Sequence, residues 1–80
     1  MPKYFFHLVA SGKSLPDEEG TELSDVTDAR ELAASSAREI IEDLSAEGFD
    51  LSTYAFNVTN DRGEEVMIFE FKMLLNGSAH

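Results

Sequence analysis

Eighty residues leave room for one domain, spanning 1–80, and folding at this size buries only roughly 60% of the unfolded surface, so self-association is a common source of added stability. The hydrophobic fraction of 42% and eight aromatic residues are enough for a packed core and exclude a wholly disordered chain. Sixteen acids against six bases give a net charge of −10, which excludes direct nucleic-acid binding, and the absence of cysteine excludes disulfides, thiolate metal centres and a cysteine nucleophile.

Lys3 to Ala10 reads KYFFHLVA, an aromatic and apolar run that predicts a strand. Tyr4, Phe6 and Leu8 share one face; Phe5, His7 and Val9 share the other. Both faces are largely apolar. The run is too short for a membrane span and lacks the small-residue cleavage site of a secretory signal. With no cysteine to oxidise, the expected compartment is the cytoplasm.

Ser11 to Gly20 reads SGKSLPDEEG, whose Gly, Ser, Pro and acids predict a loop. Thr21-Glu22-Leu23 can add a short edge strand. Residues 25 to 47 then predict an amphipathic helix. Val26, Ala29, Ala33, Ala37, Ile40, Ile41 and Leu44 recur at helical spacing, while the charged residues fall mostly on other faces. Ser24 or Asp25 serves as the N-terminal cap, and Gly48 with Phe49 closes the C-terminal end.

Tyr54 to Thr59 alternates apolar and polar residues and predicts a half-buried strand. Asn60-Asp61-Arg62-Gly63 predicts a turn, and Glu65 to Lys72 returns as the partner strand. In that strand Met67, Phe69 and Phe71 line one face, and Val66, Ile68 and Glu70 the other. Residues 73–80 predict a frayed tail.

The predicted fold class is α+β. One long amphipathic helix packs on a three-stranded antiparallel sheet, four-stranded if residues 20–23 join it, in the order β-α-β-β. The strand with the longest apolar run, 65–72, is expected in the middle, flanked by 3–10 and 54–59. A helix of about 34 Å overhangs strands of about 20–25 Å. It covers Phe6, Tyr54, Phe56, Met67, Phe69 and Phe71, and leaves Phe5, His7, Val66 and Ile68 on an open face. Such an apolar patch is ordinarily hidden. A second copy of the chain, giving a homodimer, is the expected cover; shielding by the 11–20 loop is the competing one.

Little in the sequence points to chemistry. Asp17, Glu18, Glu19 and Glu22 form the densest acidic cluster, but their spacing does not match a calcium loop. His7 has no second metal ligand near it. Ser35 and Ser36 lack a base at helical spacing. Glu39, Glu42 and Asp43 form an exposed acidic helix face, where no environment splits carboxyl pKa values for acid–base work. No cofactor, metal or catalytic residue is expected, and no enzyme.

Tyr4-Phe5-Phe6-His7, Pro16 to Leu23, and Ala55 to Thr59 followed by Asp61-Arg62-Gly63 together resemble a family of small proteins of unknown function from rhizobia and related alphaproteobacteria. Its members open with a Tyr-Phe-Phe strand and carry an Asp-Glu-Glu-Gly loop. The resemblance covers almost the whole chain and implies a bacterial, cytoplasmic protein with no assigned activity. The chain departs from it in charge, being more acidic than many members, which leaves room for a phage-borne one.

Two functions follow as expectations. The first is a small acidic protein-binding module, homodimeric, that meets its partner through Phe5, His7, Val66 and Ile68. The alternative is an acidic inhibitor, mimicking nucleic acid as anti-CRISPR proteins do. It would block a basic groove with Asp17, Glu18, Glu19, Glu22, Glu39, Glu42 and Asp43.

Overall fold

The computed structural model describes residues 1–77. Five strands and two helices follow one another: β1 (Lys3–Ala10), β2 (Lys13–Leu15), β3 (Thr21–Glu22), α1 (Val26–Ser45), β4 (Ala55–Thr59), β5 (Glu65–Glu70) and α2 (Lys72–Gly77). Every strand pair is antiparallel, and the sheet order is β2-β1-β4-β5, with β3 pairing the start of β1. No helix among the described residues is long and apolar enough to cross a membrane.

The α+β class holds, but the strand order does not follow the apolar count. β5, expected in the middle, is the edge; β4 sits between β1 and β5. A long apolar run marks a strand covered on both faces, and β5 is covered on one only. Phe69 is buried and Met67 half-buried, while Val66 and Ile68 stay exposed. β1 is covered on both faces, with Tyr4, Phe6 and Leu8 in or against the core and Phe5 beneath Gly20, which accounts for its two apolar faces.

The 11–20 segment is not loop throughout. Ser11 and Gly12 both have positive φ, 51° and 82°, and Ala10 faces Lys13 across them. That is the two-residue hairpin turn whose twist matches flanking strands. The chain therefore turns straight back as β2, pairing Leu8, Val9 and Ala10. β3 confirms the short edge strand at 21–22. The expected frayed tail is helical from Lys72 to Gly77, because Phe71 is fully buried and its N–H bonds the Tyr54 carbonyl, which pins the start of α2. The rest of that tail, residues 78–80, lies outside the described residues.

Helix α1 starts where a cap allows it. The Asp25 carboxylate accepts the Asp28 N–H at 3.0 Å. At its end the Gly48 N–H bonds the Ser45 carbonyl and the Phe49 N–H bonds the Leu44 carbonyl, the paired closure of a Schellman motif. Phe49 itself remains 52% exposed.

Ala29, Ala33 and Ala37 are fully buried, at four-residue spacing on one face of α1. They meet Tyr4, Phe56, Val58 and Phe69 from the sheet and Phe71 just past its last strand. Large rings on the sheet require small residues on the helix, so the backbone can approach. Phe56 touches Phe71 with ring centres 5.3 Å apart, and Phe6 meets Phe56 edge-on at 6.2 Å. Val26, expected in the buried stripe, opens the first turn of α1 and is 45% exposed.

Candidate functional site

The sheet face opposite α1 is built by alternation. Phe56 and Val58 point to the core, so Ala55, Asn57 and Thr59 of β4 point away. Their register partners complete the face: Val9 opposite Ala55, His7 opposite Asn57, and Phe5 opposite Thr59. On the other side Ile68 lies opposite Asn57 and Glu70 opposite Ala55. A bulge at Val58/Thr59 places Glu65 opposite Thr59 and leaves Val66 as the extra residue. The four residues expected to share this face, Phe5, His7, Val66 and Ile68, do so, but as two pairs separated by the polar Asn57 and Thr59.

The two halves differ in cover. The outer edge of β1 is taken by β2 at residues 8–10 and by β3 at residues 3–4. Phe6 falls in the gap between them, and the Asp17 carboxylate fills it. Its Oδ2 accepts the Phe6 N–H at 3.0 Å, and its Oδ1 accepts the Glu19 and Gly20 N–H groups at 3.2 and 3.1 Å. One side chain thus replaces a strand rung and folds its own loop into a strap.

The strap is tied to the face by His7. The Asp17 N–H donates to His7 Nδ1 at 3.0 Å, so that nitrogen carries no proton. A neutral ring then bears its proton on Nε2, which stands 3.0 Å from Thr59 Oγ1 and donates to it. Phe5 stacks nearly parallel to His7, with ring centres 6.4 Å apart. Gly20 presses on Phe5 and the Lys3 side chain: a Cβ there would stand 2.8 Å from the Phe5 ring. Residues 16–20 therefore shield the Phe5–His7 half, as the competing expectation had it, and the Val66–Ile68 half remains bare.

Partial burial pushes the Asp17 carboxyl up, but the hydrogen bonds from Phe6, Gly20 and Glu19 outweigh it. They hold the group below its ordinary value of 3.8. Asp17 is thus occupied by the fold, unlike its neighbours: Glu18, Glu19 and Glu22 are exposed, as are Glu39, Glu42 and Asp43 on α1. The first group extends from the strap and β3, and the second from the far side of the sheet.

Residue reading alone did not find Asn57 and Thr59. Asn57 Oδ1 sits at the centre of the face and accepts no hydrogen bond from the described protein groups. The role of Asp17 was also missed, although Pro-Asp-x-x-Gly after a hairpin signals a side-chain-capped turn. Elsewhere, a cavity of about 300 Å³ opens between α1 and α2, lined by Arg38, Ile41, Glu42, Leu74 and Leu75. No group of three metal-ligating side chains occurs among the described residues.

A family model described as "Domain of unknown function (DUF6894)" matches residues 3–72. No curated protein and no solved structure matches the chain.

Proposed function

We propose that this chain, which belongs to the DUF6894 family, is a small non-enzymatic protein-binding module that docks the bare half of its sheet on a second copy of itself. The observation that carries this reading is the exposure of Ile68 and Val66, 54% and 38%, side by side on a strand whose opposite face is core. Exposed residues of this kind on a small domain mark an interface.

The charge distribution leaves room for a second copy as the occupant. The protein carries −10 overall, yet along the strands of this face the acids are Glu22 opposite Lys3 and Glu65 and Glu70 at the two ends of β5, so the bare half carries acids at its ends alone. Glu70 stands 3.8 Å from Lys72. Two copies can meet here while their remaining acids point elsewhere. The size of the face sets the strength. The two strands of the bare half, β4 and β5, about 4.8 Å apart and about 17 Å long, offer roughly 160 Å². A stable interface takes about 800 Å² per partner. The dimer is therefore weak and forms with concentration.

Size-exclusion chromatography with light scattering tests this on the wild type and on Ile68→Lys, with circular dichroism to confirm folding. The wild type is expected to rise from monomer to dimer mass as concentration increases, and folded Ile68→Lys to stay monomeric. A wild type that stays monomeric throughout, or a folded Ile68→Lys that dimerises equally well, overturns the proposal.

A further inference from the structure

We infer that His7 is a proton-operated latch: its neutral ring holds the 16–20 strap over Phe5, and protonation of Nδ1 releases it. The docking face that the strap half covers is the one proposed above. The latch itself rests on hydrogen bonds within one copy.

The bonds dictate the sense. A backbone N–H cannot be deprotonated, so the 3.0 Å contact from the Asp17 N–H exists only while His7 Nδ1 offers a lone pair. A proton on Nδ1 sets two donors against each other. The other ring nitrogen offers no escape, because Nε2 faces Thr59 Oγ1.

The charged and titratable groups around the ring do not remove the conflict. β4 contributes Asn57 and Thr59, neither of which titrates. On β5 the residue in line with His7 across Asn57 is Ile68, and Glu65 and Glu70 lie at the strand ends. Lys3 of β1 packs under Gly20. Glu18 and Glu19 of the strap are exposed. Asp17 is the acid the strap brings to the ring, and its negative charge attracts an imidazolium. Its Oδ1 already accepts the Glu19 and Gly20 N–H groups and its Oδ2 the Phe6 N–H, which leaves one acceptor site on Oδ2. Nδ1 faces the Asp17 N–H, however, so an imidazolium reaches that site only by turning away from this N–H and breaking the tie to the strap. Protonation therefore rearranges the strap by either route, and the Phe5 ring beneath Gly20 loses its cover.

Nitrogen-15 NMR on a dilute sample tests the latch by following the His7 ring and the Asp17 amide together as the pH is lowered. The Asp17 amide is expected to shift with the same midpoint as the His7 ring. Its hydrogen exchange, corrected for intrinsic rate, should quicken about tenfold. Amides of Phe56 and Val58 in the core should stay protected. His7→Gln, whose side-chain oxygen accepts a hydrogen bond at any pH, should lose the response. An Asp17 amide that stays put while the ring titrates, or moves identically in His7→Gln, overturns the latch. Because dilute monomer is observed, that result is independent of whether copies associate.

Discussion

Gly20 shows how much a single position can carry. Its φ is +72°, and an added Cβ would lie 2.8 Å from Phe5 Cε2 and 2.9 Å from the Lys3 side chain. Gly20→Ala meets both the backbone penalty and a collision with the residues that the strap covers. It is expected to destabilise the domain by about 1–3 kcal/mol in urea unfolding. Asp17 carries a second prediction. Its carboxyl is held below 3.8, so folding favours the ionised form. The resulting stability is fully present above the ordinary value and is lost as pH falls through the lower, folded one. Asp17→Asn should lower stability near neutral pH and flatten its fall below about pH 4, read by urea unfolding across that range. The motif that carried the family resemblance, aromatic strand plus Asp-Glu-Glu-Gly, was legible as residues. That its parts bind each other was not, since hydrogen bonds between His7 and Asp17 leave no periodic trace in the chain.

Among the elements, α1 was the most legible. Its apolar spacing, its Asp25 cap and its Gly48 closure are local, and each appears where the spacing put it. Asp25→Ala should cost about 1 kcal/mol, measured by thermal or urea melts, because the Asp28 N–H loses its acceptor. β2 was illegible for the converse reason. Its three residues are all exposed, so they have no alternation to show, and only the Ser11-Gly12 turn reveals them. The position of β5 was misread because an apolar run records how much side chain is apolar, not which neighbours cover it. Helix α2 is short, and what starts it is the burial of Phe71 against Tyr54.

At the scale of the molecule, charge and shape divide the surface. Acids crowd the strap and the outer side of α1, and the bare half of the sheet carries few. Association through that half brings two acidic bodies together, so salt should strengthen it by screening the residual repulsion. The light-scattering experiment, repeated from low to high salt, reads the sign. A complex made through the acids with a basic partner would weaken instead.

The sequence by itself determined the α+β class, the helix and its caps, the inward and outward faces of β1, β4 and β5, and the acidic surface. Each of these depends on neighbours within a few residues or on composition. Only the tertiary structure decided which strands are neighbours, that Asp17 closes the gap between β2 and β3, and that the strap shields Phe5 and His7 but not Val66 and Ile68. Those outcomes depend on groups far apart in the chain (His7 and Thr59 are 52 residues apart) meeting at hydrogen-bond distance. No local pattern encodes such a meeting, because what selects it is the joint packing of all the elements around one core.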